Sequence, residues 1–306
     1  MTRYRVVHRT SYRYSTFMTA SHTLTVLEPR SSDGQVTEAT VVVVDPVPEV
    51  QISHVDEFGN TLVYLSVVEP HDHLVITATH EVDVAPLPTW PTAERDERSW
   101  EDVVALLAQA NATGADGLRT AGDDDALEVL RLCYPSPLVP AVAGVADYAA
   151  PSFPPGRGLA AAAADLCHRI ATDFRFDNTF TEVSTPIDVV LQHRRGVCQD
   201  FAHLAIACLR SQGLAARYIS GYLETDPPPG KPKLVGTDAS HAWCAVWSPD
   251  HGWLEIDPTN DQSPPQRHVV VAWGRDYGDV APVSGVVFGP PASQKLTVEV
   301  DVARLD

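Results

Sequence analysis

The first 85 residues of the 306-residue chain restrict its fold most, because apolar and polar side chains alternate there with the period of a β-strand. Turn-forming residues separate the alternating segments. The segments are Arg3–Tyr14, Ser21–Arg30, Val36–Val44, Val50–Asp56, Thr61–Val68 and Leu74–Val84. Several short strands at this spacing predict an antiparallel sandwich or barrel-like domain over residues 1–85.

The histidines of this region do not amount to a metal site. His71 and His73 would share one face of a strand, and His80 follows nearby. The pair lies beside Pro70, and the sequence specifies no third ligand. We therefore expect no metal and no cofactor.

Residues 86–158 interrupt the strand pattern. Prolines between Pro86 and Pro91 end it, and short helical patterns follow over Glu94–Leu107 and Asp125–Leu132. A proline- and glycine-rich stretch at 151–158 closes the segment. We interpret residues 86–158 as a connecting insertion, partly helical, between two domains.

Charge and cysteine content narrow the choice of partners and compartment. The net charge of −18 and the pI near 4.9 argue against nucleic acid or an anionic membrane as the main partner. The five cysteines form no CxxC pair, and an odd number is typical of reduced thiols. The N-terminus has no apolar leader, and no stretch approaches the roughly 18 apolar residues that span a bilayer. We expect a soluble, cytoplasmic protein, and the sequence leaves its oligomeric state open.

One cysteine lies where a helix is predicted to begin. Apolar residues follow Cys198 with helical period, and the pattern runs to Gly213. The residues on that face are Phe201, Leu204, Ala205, Cys208 and Leu209. Unpaired N–H groups and the macrodipole of a first turn favour an anion such as a thiolate. The alternative is that Cys198 only packs, as most free cysteines do.

A histidine and an aspartate are predicted to meet across a hairpin. His241–Trp247 and Trp253–Asp257 have strand character and are separated by a short turn. Antiparallel pairing brings the start of one strand beside the end of its neighbour, so His241 and Asp257 should be adjacent. A nucleophilic cysteine needs a base, and the base needs an orienting group. Cys198, His241 and Asp257 supply these three residue types.

These residues lie in motifs that resemble a known family. Gly196–Ala202 (GVCQDFA), Ala239–Trp243 (ASHAW) and Gly252–Thr259 (GWLEIDPT) resemble the three catalytic motifs of the transglutaminase-like superfamily. The resemblance is closest to its bacterial branch, which has a β-rich N-terminal region, and Gly274–Pro282 (GRDYGDVAP) is similar to that branch's C-terminal motif.

The resemblance implies an α+β fold with a papain-like core. The core would occupy residues 159–262, after the N-terminal β domain at 1–85 and the insertion at 86–158. A C-terminal segment, 263–306, would carry the Gly274–Pro282 motif. Its last part, Lys295–Val302, alternates cleanly, and we predict an edge strand that returns to the β domain.

The resemblance also implies roles for the three residues. Cys198 would be the nucleophile, His241 the general base and acid, and Asp257 the residue that orients His241. Eukaryotic transglutaminases have tryptophan directly after the cysteine, where this chain has Gln199, and we find no acidic loop that matches a calcium site. This departure favours cysteine-dependent hydrolysis of an amide or peptide bond in a peptide or protein substrate. Acyl transfer to an amine and a catalytically silent peptide-binding module remain the alternatives.

Other residues of the site are less determined by the sequence. The Cys198 backbone N–H would meet the oxyanion, alone or with a second donor from Gln199 or from the segment 174–178. Trp243 and Tyr222 are candidate residues of the substrate cleft. Trp243 could equally pack within the hairpin, as buried aromatic residues usually do.

Overall fold

The computed structural model describes residues 1–32, 34–85, 98–114, 118, 126–180, 184–225, 240–264 and 267–305. These residues form a β-sandwich and a mixed helix–sheet core, which confirms the predicted α+β class. Within the residues described, no helix combines the length and apolar character that a membrane crossing requires.

The β-sandwich consists of two antiparallel four-stranded sheets. Its strands are β1 (Thr2–Met18), β2 (Ala20–Thr25), β3 (Gln35–Asp45), β4 (Val50–Val55), β5 (Thr61–Val67), β6 (His71–Val84), β13 (Val283–Phe288) and β14 (Gln294–Arg304). One sheet has the order β14-β1-β6-β3 and the other β13-β2-β5-β4. Alternate residues of β5 and β6, such as Leu65 and Ile76, are buried in one apolar cluster between the sheets. The arrangement is a sandwich, one of the two forms that the sequence left open.

The C-terminal end of the chain completes both sheets. β14 pairs antiparallel with β1 at the edge of its sheet, with Arg304 opposite Tyr4. This is the return of the last strand that its alternation predicts. β13 pairs with β2 in the other sheet, a connection that the sequence analysis did not anticipate.

The core places helices against a third antiparallel sheet, of order β11-β10-β9-β12. The strands are β9 (Ala216–Leu223), β10 (Ser240–Ser248), β11 (Gly252–Ile256) and β12 (His268–Gly274). The helices of the core are α4 (Leu159–Asp173), α5 (Ile187–His193) and α6 (Cys198–Ser211). The central helix α6 is buried along almost its whole length and packs on β9 and β10. A short parallel pair, β7 (Arg175–Phe176) with β8 (Arg195–Gly196), leads into α6.

The described part of the insertion is more than a connector. It forms α1 (Trp100–Thr113), α2 (Ala126–Arg131), α3 (Val145–Ala149) and a short 3₁₀ helix, Ala150–Ser152. Ser99 caps α1, since its Oγ accepts from the Asp102 N–H at 3.2 Å. The predicted start of that helix, Glu94, lies outside the described residues. Val103, Leu107 and Tyr148 belong to the same apolar cluster as α6, so these helices form part of the core.

Two buried side-chain amides join the sandwich to the core sheet. Gln35 donates to the Val270 carbonyl at 2.7 Å and accepts from the Val270 N–H at 2.8 Å. Asn60 makes the same pair of bonds to Trp273, at 2.8 and 3.0 Å. Arg30 stacks 3.1 Å from the Trp273 ring centroid. The outer edge of β12 is therefore satisfied by side chains of the β domain.

The Gly274–Pro282 motif links β12 to α6. It contains a single helical turn, α7 (Tyr277–Val280), which Asp276 caps through the Gly278 N–H. The second Asp276 carboxylate oxygen accepts from the Leu138 N–H at 2.9 Å. The Tyr277 N–H donates to His203 Nε2 on α6 at 3.1 Å. The motif thus ties the C-terminal segment to both the central helix and the insertion.

Candidate active site

Cys198 is the first residue of α6 and is half-buried. The Asp200 carboxylate accepts from the Val197 N–H at 2.7 Å, which fixes the chain at the helix start. Gly196 is required for this geometry, because a Cβ there would lie 2.8 Å from both the Cβ and a carboxylate oxygen of Asp200. The glycine two residues before the cysteine therefore lets the chain turn tightly into the helix.

His241 and Asp257 lie side by side, with His241 Nε2 2.8 Å from Asp257 Oδ2. His241 is the second residue of β10, and Asp257 directly follows β11. The hairpin register places Cys244 opposite Ile256, which brings these two strand ends together. The His241 side chain is 8% exposed and that of Asp257 is fully buried. The His241–Asp257 pair is therefore almost completely excluded from solvent.

Cys198 joins this pair through an electrostatic interaction of its thiol with His241. Burial lowers the pKa of His241, but its hydrogen bond to Asp257 and its interaction with Cys198, together with their charges, raise the pKa to about 10. Burial acts to raise the pKa of Asp257, yet its hydrogen bonds to His241 and His268 and the His241 charge hold it well below its usual range. The structure thus favours an imidazolium beside a carboxylate.

Asp257 receives more hydrogen bonds than the sequence suggested. Its Oδ2 also accepts from His268 Nε2 at 3.0 Å and from Asn260 Nδ2 at 2.7 Å. Its Oδ1 accepts from the backbone N–H groups of Thr259 and Asn260 at 3.0 and 3.3 Å. Sequence reasoning missed Asn260, although Asp-Pro-Thr-Asn is a turn-forming pattern that could have indicated it. It also missed His268, which lies on a different strand and shares no local pattern with Asp257.

The two candidate cleft residues are both buried. Trp243 is fully buried, stacks on His241 with ring centroids 5.8 Å apart, and donates to Glu255 Oε2 at 2.7 Å. Tyr222 is 2% exposed, and its hydroxyl lies 2.9 Å from Nδ1 of His8 in the β domain. Neither side chain presents surface to a cleft. Trp243 supports His241, and Tyr222 belongs to the contact between the two domains.

The oxyanion candidates lie around the start of α6. Gln199 is half-buried and directly follows Cys198. The pairing of Phe176 with Gly196 brings the segment 174–178 alongside the chain that leads into Cys198, and the Asp177 N–H donates to the Gly196 carbonyl at 2.9 Å. Both sources of a second donor that the sequence analysis named are therefore close to the helix start.

The other four cysteines are in different surroundings. Burial raises the pKa of Cys133 to about 11, and that of Cys167 and Cys208 to about 12. Burial likewise raises the pKa of Cys244 well above its ordinary value. These thiols are held protonated at neutral pH.

His241, Asp257 and His268 also place three potential metal-ligand atoms within 4.8 Å of one another, the only such group within the described part of the chain. The nitrogen–oxygen distances of 2.8 and 3.0 Å are those of hydrogen bonds. Protons on the two nitrogens account for this arrangement.

The fold and the site define an α+β protein with a papain-like core, in which a cysteine at a helix start faces a buried histidine–aspartate pair. Two sequence families match the chain in agreement with this description. The Transglutaminase-like superfamily matches residues 150–258, and the Bacterial transglutaminase-like N-terminal region matches residues 4–83. The chain belongs to the transglutaminase-like superfamily.

Individual relatives extend this result to the whole chain. The Uncharacterized protein Rv2569c of Mycobacterium tuberculosis (strain ATCC 25618 / H37Rv) is 44% identical over 99% of this chain and 93% of its own length. A Protein-glutamine gamma-glutamyltransferase of Pseudomonas aeruginosa is 36% identical over 25% of this chain and 12% of that protein. The crystal structure of a candidate cysteine protease from Cytophaga hutchinsonii, 20% identical, covers 100% of this chain and 91% of that chain with a TM-score of 0.72. This last likeness shows the fold.

Proposed function

We propose that the protein is a cysteine-dependent hydrolase that cleaves an amide or peptide bond. Cys198 is the nucleophile, His241 the general base and acid, and Asp257 the group that orients His241. The observation that carries the proposal is that His241 interacts with both other groups, with the Cys198 thiol, which helps to raise its pKa, and with Asp257, through a hydrogen bond of 2.8 Å. A nucleophile, a base and an orienting carboxylate in contact are what acyl transfer from an amide requires.

The orientation of His241 follows from its partners. Nε2 is bonded to Asp257, which leaves Nδ1 as the nitrogen that takes the thiol proton in this proposal. The proton of Cys198 passes to Nδ1, and the thiolate attacks the substrate carbonyl carbon. The resulting oxyanion is stabilised by the Cys198 N–H, one of the unpaired donors at the start of α6.

The reaction then proceeds in two halves. His241 returns the proton to the leaving amine, the C–N bond breaks, and a thioester with Cys198 remains. A water molecule gives a proton to His241 and attacks the thioester. Breakage of the C–S bond releases the acid, and the proton on His241 returns to the sulfur to restore the thiol. Asp257 stays ionised throughout and stabilises the imidazolium.

Transfer of the acyl group to an amine is the second candidate function. The short match to a Protein-glutamine gamma-glutamyltransferase supports it. The thioester is common to both reactions, and only the acceptor differs. Mass spectrometry of the products formed with and without a small primary amine separates them, because only transfer incorporates the amine.

Selective alkylation of Cys198 tests the nucleophile without a known substrate. At neutral pH we expect iodoacetamide to label Cys198 first, since burial holds the other thiols protonated. Cys198→Ala should abolish this label and the cleavage of any amide found in a peptide screen. Cys133→Ala, at the other half-buried cysteine, is the matched control and should keep both. A wild-type Cys198 that is unreactive at neutral pH would overturn the proposal.

A further inference from the structure

His268 is a second buried histidine on the Asp257 carboxylate. It is the first residue of β12, which forms the edge of the core sheet opposite β11. Its Nε2 lies 3.0 Å from the same oxygen, Oδ2, that accepts from His241. The His268 side chain is 2% exposed. The two imidazole rings are therefore linked through a single carboxylate oxygen.

We propose that His268 is a positioning residue, which donates to Asp257 Oδ2 and thereby fixes the direction and strength of the bond from Asp257 to His241. The inference deepens the proposed function and rests on it. His268 touches no reacting atom and acts through Asp257 alone.

The hydrogen bonds fix the proton on His268. An ionised Asp257 can only accept, so the proton between the two groups lies on His268 Nε2. Nδ1 of His268 is buried and has no hydrogen-bond partner among the residues that the structure describes. Within the described residues, the polar contact of the ring is therefore the bond to Asp257. Packing alone does not require a donor here, because an apolar ring of the same shape would fill the space.

The surroundings hold the His268 ring in place. Trp243 meets it edge-on with ring centroids 5.0 Å apart, and the His241 ring lies 5.6 Å away. Two residues along β12, Val270 is held through its N–H and carbonyl by Gln35 of the β domain. Because β12 is anchored at Val270, the His268 side chain is held in a position from which it can orient the Asp257 carboxylate at the end of β11.

The expected effect of His268 is on the titration of His241, which the reactivity of Cys198 reports. The titratable groups around Cys198 and His241 are Asp257 after β11, Glu255 on β11, His268 on β12, Tyr218 on β9, Asp200 on α6 and Cys167 on α4. Of these, only His268 donates to Asp257 from outside the pair. Removing that donor leaves the negative charge of Asp257 less satisfied, so it holds the His241 proton more strongly.

Alkylation of Cys198 by iodoacetamide as a function of pH measures this directly. In the wild-type protein we expect two steps, one for formation of the thiolate–imidazolium pair and one for loss of the His241 proton at higher pH. His268→Phe should move the second step to higher pH by about one unit, the size expected for one hydrogen bond to a charged group. His268→Gln, whose Nε2 can still donate to Asp257, should restore the wild-type profile.

The controls separate this inference from the proposed function. His80→Phe makes the same change at another buried histidine, which lies in the β domain, and should leave the profile unchanged. Far-ultraviolet circular dichroism establishes that each variant is folded. A His268→Phe profile that coincides with a two-step wild-type profile would overturn the positioning role and leave the proposed function standing. A wild-type profile with the single step of an ordinary thiol would overturn the proposed function and the inference with it.

Discussion

At the scale of single residues, the site depends on a carboxylate buried away from water and kept ionised. Asp257 is fully buried, and side chains and backbone N–H groups from three segments satisfy both of its oxygens. Burial of a charge without such partners would favour the protonated acid. The number of donors explains why the pKa of Asp257 is depressed in spite of its burial.

Replacing Asp257 by asparagine should uncouple His241 from the site. The carboxylate supports the raised pKa of His241, so in Asp257→Asn this pKa should fall from about 10 towards its ordinary value of 6.5. The second step of the Cys198 alkylation profile should move to lower pH, and any amide cleavage should fall by roughly 10²- to 10⁴-fold. Asp261→Asn is the control, since Asp261 pairs with His168 at the surface. An unchanged profile in Asp257→Asn would contradict the assigned role.

His241 should also make folding stability depend on pH. Its pKa in the folded state is about 10, above the 6.5 of the unfolded chain, so the folded protein binds the extra proton between these values. The stabilisation is complete below pH 6.5 and is lost as the pH rises towards 10, by at most about 1.4 kcal/mol per pH unit. Urea unfolding across this range should show a steeper fall for the wild type than for His241→Gln. Parallel curves would show that His241 does not bind the proton in the folded state.

At the scale of elements, a close contact in the turn before α6 determines how the chain enters this helix. The chain reaches Cys198 through Gly196, which lies against Asp200 in the first turn of the helix. The same Asp200 carboxylate accepts from the Val197 N–H. The position of the thiol therefore depends on a glycine that carries no chemistry.

Gly196→Ala tests this dependence. The new Cβ would lie 2.8 Å from the Asp200 side chain, so Asp200 must move and its bond to Val197 is lost. We expect a loss of roughly 1–3 kcal/mol in the free energy of unfolding. Alkylation of Cys198 at neutral pH should slow as well, because the thiol moves relative to His241. Wild-type stability together with wild-type reactivity would show that the turn tolerates the methyl group.

The elements show where sequence reasoning succeeds and where it ends. The start of α6 and the hairpin that joins His241 to Asp257 follow from helical and strand periods, which are local. His268 could not be found in this way, because β12 and β11 lie at opposite edges of the sheet and only the fold brings the His268 side chain to Asp257. Tyr222 on β9 is a similar case. The local sequence makes it a candidate cleft residue but does not reveal that the Tyr222 hydroxyl contacts His8 of the β domain.

At the scale of the whole molecule, the β domain and the core are one interlocked structure. The first 85 residues were predicted as a separate β unit, and their strands follow the alternation closely. The interface was not predicted, because Gln35 and Asn60 bond to residues more than 200 positions away. The helices of residues 98–158 are a similar case, since their apolar faces are visible in the sequence but the cluster that they join is not.

The side-chain amide of Gln35 should contribute strongly to the interface between the β domain and the core. It satisfies both the N–H and the carbonyl of Val270 at the edge of the core sheet, and it is 3% exposed. Gln35→Met keeps the length of the side chain but leaves two buried backbone groups without partners, at a cost of about 1–3 kcal/mol each. We expect urea unfolding to show a loss of roughly 2–6 kcal/mol. Gln51→Met, on the exposed strand β4, is the matched control and should change stability by less than about 0.5 kcal/mol.

The same variant also tests whether the β domain influences the site. Val270 lies two residues from His268, so a loosened β12 should weaken the bond from His268 to Asp257. Without urea, and over the pH range in which Gln35→Met is fully folded, its Cys198 alkylation profile should shift in the same direction as that of His268→Phe. The shift should be smaller. A stability loss without any shift would mean that the β domain stabilises the core but does not position the candidate active site.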